Sequence, residues 1–170
     1  VDAPDVNDRP TVFVRRVRPE DAQTMRGFLM GLSARSRRER FHAAVNGDSP
    51  KLVGYLVSAD GERHAGWVAC VWGPHGEQIV GEAGWNVVNH EAQSAELALS
   101  VLDNWRGSGV ANRLMDALMQ GARNAGLHHI YGDVWDANAR MLAFMRRHGL
   151  EEGWDEPPEP GIVRVSCRFE

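Results

Sequence analysis

The chain has few cysteines, no long apolar run and no surplus of basic charge, and each lack narrows the field. Cys70 and Cys167 are its two cysteines, and both fall inside apolar, strand-like runs. Buried free thiols, suited to a reducing cytoplasm, are the expectation rather than a disulfide framework. No stretch approaches the ~18 apolar residues of a membrane span, and no basic-then-apolar leader opens the sequence as it stands. A net charge of −4 leaves no excess of Lys and Arg to neutralise phosphates, which argues against a general nucleic-acid binder. The seven histidines form neither H-x-x-x-H nor H-E-x-x-H, so no metal is implied. Gly107-Ser108-Gly109 lacks the G-x-S-x-G spacing of a serine hydrolase. At 170 residues, 43% hydrophobic and 25% charged, the composition is that of one globular domain with a sizeable core.

What is present concentrates between Glu96 and Ala111. An apolar run ends at Leu102, Asp103-Asn104-Trp105 makes a short turn, and Arg106-Gly107-Ser108-Gly109-Val110-Ala111 follows. Val110, Leu114, Ala117, Leu118, Ala122 and Ala125 then recur at helical spacing until Gly126, a natural helix stop. Strand, glycine-rich loop and helix in that order turn several backbone N–H groups toward one point at a helix N-terminus, which suits a phosphate. Two nucleotide readings fail on named positions. No lysine follows the glycines as a P-loop needs, and Asn112 stands where the dinucleotide fingerprint needs a third Gly or Ala.

Along the chain, Val1–Pro10 is polar and reads as a mobile tail ahead of one domain over residues 11–170. Val12, Val14 and Val17 lie in a first strand. Pro19-Glu20-Asp21 opens a helix whose apolar stripe is Met25, Phe28, Leu29 and Leu32. Ser33 suits the N-cap of a second helix through His42, which carries Arg35, Arg37, Arg38 and Arg40. Those arginines are either a patch for an acidic partner or for phosphates, or a solvated helix face. Ser49-Pro50 introduces Lys51–Ser58, which fits a helix or a strand. Ala65–Trp72, Gln78–Val88 and Ala95–Leu102, joined by short connections, make an antiparallel meander. The loop helix crosses to a strand at His129–Trp135, parallel to Ala95–Leu102. A helix follows Asn138, and Leu150–Trp154 and Ile162–Phe169 close the sheet. The expected class is one mixed α/β (α+β) domain.

The pattern R-x-x-G-x-A at Arg106–Ala111, between a strand and a long helix, resembles the acyl-CoA-binding motif of the GNAT superfamily of N-acyltransferases. Asn138-Ala139-Arg140-Met141-Leu142, continuing to Gly149-Leu150, looks like the second motif of that family, with Leu for the usual Phe. Arg18-Pro19-Glu20-Asp21 and Leu32-Ser33-x-x-Ser36-Arg37-x-x-Arg40-Phe41 are similar to the opening of bacterial Pat-type protein lysine acetyltransferases. The resemblance implies a single-domain GNAT fold: a mixed, mostly antiparallel sheet of about seven strands with a splayed central parallel pair and flanking helices. It implies acetyl-CoA as co-substrate, its pyrophosphate held by Arg106, Gly107, Ser108, Gly109, Val110 and Ala111. It also implies that backbone groups at Leu99 and Val101 pair with the pantetheine arm like an added strand. Asn138 would contact that arm while capping its helix, and Ser100 either lines the cleft or packs in the strand.

Attack on a thioester needs a neutral amine, and a lysine amine of pKa ~10.4 gains from a positioned base. Glu96 is the candidate. It shares a strand face with Ala98 and Ser100 while Leu97, Leu99 and Val101 face the other way, and an acid amid apolar neighbours should have a raised pKa. It matches the glutamate of the A-E-x-A motif that serves as base in Pat-type enzymes; otherwise it is a strand carboxylate facing water. Met145 stands where many GNAT enzymes carry a Tyr that protonates the departing thiolate, so the thiolate leaves unaided or another group such as His148 helps. Trp85 is a candidate wall for an acceptor pocket. The acidic loop from Glu151 to Glu159 either favours a cationic acceptor or is a solvated turn. Two functions stay open. One is an N-acetyltransferase acting on a primary amine, protein lysine or small molecule, by direct attack in a ternary complex. The other is a catalytically idle acyl-CoA-binding sensor or interaction module. Neither nucleic acid nor membrane is an expected partner, and a homodimer is left open.

Overall fold

Period-two patterning through the middle of the chain builds one sheet, and the helical stripes around it supply cover for both faces. The computed structural model describes residues 10–91, 93–153 and 159–170, so nearly all of the expected tail and part of the acidic loop lie outside the described residues. The strands are β1 (Phe13–Arg16), β2 (His64–Gly73), β3 (Gly76–Asn89), β4 (Ser94–Val101), β5 (His129–Trp135), β6 (Glu151–Glu152) and β7 (Ile162–Arg168). Their spatial order is β1-β2-β3-β4-β5-β7-β6. The β2–β3–β4 meander is antiparallel, as its short turns require, and β1 joins β2 in the same sense. Among the described residues only β4 and β5 run parallel, because a helix carries the chain from one to the other.

The end of the sheet departs from the sequence expectation. β7 inserts beside β5 over its whole length and leaves β6 as a two-residue edge. The expected strand Leu150–Trp154 therefore shrinks to Glu151–Glu152. Leu150 is fully buried core after Gly149, whose φ of +82° ends the preceding helix, and Trp154 lies outside the described residues.

Helices α1 (Ala22–Gly31), α2 (Ala34–Phe41) and α3 (Pro50–Val57) lie on one side of the sheet, α4 (Val110–Asn124) and α5 (Ala139–Arg147) on the other. Pro19–Asp21 forms a separate 3-10 turn rather than the start of α1. There the Asp21 carboxylate accepts from the Arg18 N–H (2.7 Å) and from both Arg15 Nη atoms (2.8 and 2.7 Å). Ser33 caps α2 by accepting from the Ser36 N–H (3.1 Å). Ser49 caps α3 by accepting from the Leu52 N–H (3.3 Å), which settles Lys51–Ser58 as helix.

Val110, Leu114, Met115, Leu118, Met119 and Ala122 form the buried stripe of α4, packed on Trp67, Ala83, Trp85, Leu97 and Leu99. Burial of each large side chain contributes about 1.5–3 kcal/mol relative to exposure. The approach is close enough to require Gly121, where a Cβ would lie 2.2 Å from Cζ2 of the Trp67 ring. Trp85 is 1% exposed and packs in this α4-side core, and it is also among the residues that line the cleft between β4 and β5. The pleat sends its ring away from the face that carries Glu96, and its neighbour Asn86 is the register partner of Glu96.

Candidate active site

β4 and β5 pair at Ser94↔His129, Ala95↔Ile130 and Glu96↔Tyr131, and then part. Each keeps its outer neighbour: β4 pairs with β3 as far as Gly81↔Val101, and β5 with β7 as far as Trp135↔Ile162. The Leu102 N–H donates to the Val80 carbonyl (2.9 Å). Counting back in twos along that antiparallel ladder turns the backbone of Ser100, Ala98 and Glu96 toward β3. The backbone groups of Leu97, Leu99 and Val101 then face the gap. A cleft of about 510 Å3 occupies it, walled by residues 97–101, by 132–134 and by the near ends of α4 and α5.

At one end of the cleft lies the glycine loop. Gly107 and Gly109 have φ of +73° and +85°, the left-handed region, and no other atom comes within 4 Å of where a Cβ would sit. Gly109 is the N-cap of α4, and no side chain caps that helix. Its first N–H groups face an open loop with the positive end of the helix dipole behind them. Val110 is buried beneath α4, while Gly107, Gly109, Val110 and Ala111 line the cleft. Ser108 turns its hydroxyl back to the Trp105 carbonyl. The Arg106 guanidinium donates to Ser36 Oγ (2.8 Å) and pairs with Asp103 (3.1 Å). Asn138 lines the cleft from the α5 end, its Oδ1 accepting from the Met141 N–H (3.2 Å) as the N-cap.

Glu96 stands where the two strands separate, on the face away from α4, between Asn86 of β3 and Tyr131 of β5. Glu96 is an exposed residue of the strand, set within the concave wall of the cleft. Burial raises its pKa above the ordinary glutamate value and Asp133 adds to the rise, while Arg164, His42 and Arg40 oppose it. Asp133 and Arg164 form a two-pronged ion pair across β5 and β7 (2.6 and 2.7 Å), and the guanidinium lies 4.2 Å from the Tyr131 ring centroid. Tyr55 of α3 bonds Asn86 on the other flank, and burial raises the pKa of both tyrosines.

Sequence reasoning missed a second acid on the same face. Glu82 of β3 is 3% exposed and accepts from Arg40 Nε (2.5 Å) and Nη2 (3.2 Å) and from Ser100 Oγ (2.8 Å). The signal was there: Glu82 interrupts Ile79-Val80-Gly81 and Ala83 just as Glu96 interrupts its own apolar strand. Its partner corrects the reading of the α2 arginines. Arg40 is tied inward to Glu82, and Arg37 donates to the Leu29 and Leu32 carbonyls at the end of α1 (3.2 and 2.5 Å). Only Arg35 and Arg38 of that group are exposed.

Met145 is 3% exposed on the cleft wall and offers no proton. His148, the alternative donor, turns away to α4, with Nε2 3.0 Å from Asn112 Oδ1 and Nδ1 4.0 Å from Asp116. It is not among the residues lining the cleft. Among the described residues no group of His, Cys, Asp or Glu is arranged to hold a metal ion, and no helix is long and apolar enough to cross a membrane.

A sheet split after one parallel junction, with a glycine loop feeding an uncapped helix at the split, is the framework of an acyl-CoA-dependent acetyltransferase. Residues 32–150 match the acetyltransferase (GNAT) family, and the chain belongs to that family. It is 29% identical over 136 residues to an acetyltransferase of Pseudomonas aeruginosa, covering 80% of this chain and 73% of that protein. It is 28% identical over 139 residues to acetyltransferase Pat of Mycolicibacterium smegmatis, covering 81% of this chain but 40% of that longer protein. The fold is similar to the GNAT domain of S. lividans PAT, with a TM-score of 0.83 and 24% identity over 92% of this chain and 89% of that one. The protein is thus an acetyltransferase, and its family uses acetyl-CoA as co-substrate. The cleft fits such a molecule: an uncapped helix end for an anion and strand-edge backbone groups for an amide-bearing arm.

Proposed function

We propose that this acetyltransferase moves the acetyl group of acetyl-CoA directly onto a primary amine, with Glu96 as general base. The observation that carries the reading is the end of β4–β5 pairing at Glu96↔Tyr131. A thioester whose arm lies between the strands brings its carbonyl to that point, beside a carboxylate of raised pKa. Residues 106–111 seat the pyrophosphate on the α4 N-terminus, the backbone of Leu99 and Val101 pairs with the arm, and Asn138 closes on it from α5. Glu96, directly or through water, takes the proton as the amine nitrogen bonds to the carbonyl carbon. The carbon–sulfur bond then breaks and the coenzyme departs as its thiolate.

The acceptor we favour is a protein lysine in the cytoplasm. The arginines that bear on Glu96 are each held by a carboxylate, Arg164 by Asp133 and Arg40 by Glu82. A carboxylate beside the reacting amine, as in a free amino acid, therefore finds little to pair with. Cys70 and Cys167 are both free thiols, which suits a reducing compartment. The second reading, an idle acyl-CoA sensor, draws on Met145 in place of a proton donor. Thiol release from acetyl-CoA with lysine peptides and small amines, for wild type and Glu96→Gln, decides between them. An enzyme loses turnover in the variant and keeps its coenzyme affinity. Silence of the wild type across all acceptors, alongside tight acetyl-CoA binding, favours the sensor.

A further inference from the structure

Ser36 is a 4% exposed hydroxyl on α2, far in sequence from the glycine loop yet bonded to it twice. Its Oγ–H donates to Asp103 Oδ1 (2.6 Å) and its oxygen accepts from Arg106 Nη2 (2.8 Å). Asp103 and Arg106 face each other at 3.1 Å across the turn that enters the loop. The Ser36 hydroxyl thus closes a three-member ring with an ion pair, and Ser33 Oγ, 2.9 Å from Ser36 Oγ and itself bonded to Asp103, backs that ring from the α2 N-cap. One turn further along α2, Arg40 anchors the helix to Glu82, which in turn holds Ser100 of β4. That second anchor gives Ser36 a fixed mount.

We infer that Ser36 and Asp103 are positioning residues for the phosphate-binding loop, holding Arg106 so that the loop N–H groups converge on the coenzyme pyrophosphate. Neither side chain touches the anion in this scheme. Without the ring, Arg106 swings free and the loop must be ordered at the moment of binding, at a cost in coenzyme affinity. The loss falls on the coenzyme rather than on Glu96, which lies at the other end of the cleft wall. The inference rests on the reading of the cleft as the acetyl-CoA site.

The test is calorimetric binding of acetyl-CoA together with steady-state kinetics for Ser36→Ala, Asp103→Ala and the double variant. Asp103 is partly exposed, so its truncation keeps the inference testable should Ser36→Ala fold poorly. Each single change is expected to raise Kd and KM for acetyl-CoA about tenfold, the size of one charge-assisted hydrogen bond. The loss should fall on KM rather than kcat, and the double variant should bind no more weakly than either single one. Unchanged Kd in the variants, additive losses, or a fall in kcat with KM unmoved each overturns the inference while leaving the cleft reading intact. A wild type that does not bind acetyl-CoA at all overturns both.

Discussion

Truncating Arg40 to Met should be among the most damaging single changes on the α2 side of the sheet. The Arg40 and Glu82 side chains are 13% and 4% accessible and meet through two hydrogen bonds of 2.5 and 3.2 Å. Without the guanidinium, the Glu82 carboxylate keeps one neutral donor, Ser100 Oγ at 2.8 Å. Breaking such a pair from one side costs about 3–5 kcal/mol, because the remaining charge stays buried. Glu82→Gln is milder, roughly 1–2 kcal/mol, since an amide oxygen still accepts from Arg40. The double variant Arg40→Met/Glu82→Gln buries no charge and should also lose roughly 1–2 kcal/mol, leaving a coupling of about 3–5 kcal/mol. At about 2–4 °C per kcal/mol for a domain of this size, Arg40→Met should melt roughly 6–20 °C below wild type. Urea unfolding of the four proteins, compared at constant m, gives the cycle. Additive losses, or an Arg40→Met variant no worse than Glu82→Gln, would refute the claim that α2 is clamped to the sheet by this pair.

Other outcomes follow from the same geometry. The acidic limb of kcat/KM against pH should lie above the ordinary glutamate value of 4.5 and vanish in Glu96→Gln, while Arg164→Gln should move it further up, because Arg164 opposes the rise. Glu96 also has a stability signature: a folded pKa raised above the unfolded one gives a contribution complete below pH 4.5 and lost as pH rises through the folded value. Glu96→Gln, neutral throughout, should therefore outlast wild type in urea at pH 7, with the gap closing toward pH 4.5. Gly121→Ala should destabilise despite the better helix propensity of Ala, by about 1–3 kcal/mol in urea unfolding, because its methyl meets the buried Trp67 ring. Asp60 accepts from the N–H groups of Glu62, Arg63 and His64, which holds its pKa down at about 2. The urea midpoint of Asp60→Ala should fall below wild type above pH 4, and the difference should fade as pH drops toward 2.

Local demands were legible in the sequence, and pairings between distant segments were not. Gly109 and Gly126 bracket α4 because each adopts a left-handed φ, a requirement written into one residue. Ser33, Ser49 and Asn138 could be read as caps because a cap bonds within three residues of itself. The Arg40–Glu82 and Ser36–Asp103 bonds join positions 42 and 67 residues apart, and no periodicity reports such partners. The same limit hid the insertion of β7 inside β6, since strand order at an edge depends on which neighbour buries more, not on pattern. Glu96 is legible from its apolar flanks and its resemblance to a motif, whereas Glu82 has similar flanks but no motif around it, and its role depends on Arg40, 42 residues away.

Among the described residues, three register pairs between β4 and β5 make the direct ladder joining the β1–β4 portion of the sheet to the β5–β7–β6 portion. Mechanically the sheet is two stiff plates on a short hinge, with α4 strapped across the joint. A molecule laid along the open edges adds rungs to that hinge, so filling the groove should slow amide exchange on both plates, including residues it never touches. Affinity measured for such a molecule then includes the work of stiffening the protein, and a change anywhere along the hinge would alter it without removing a single contact.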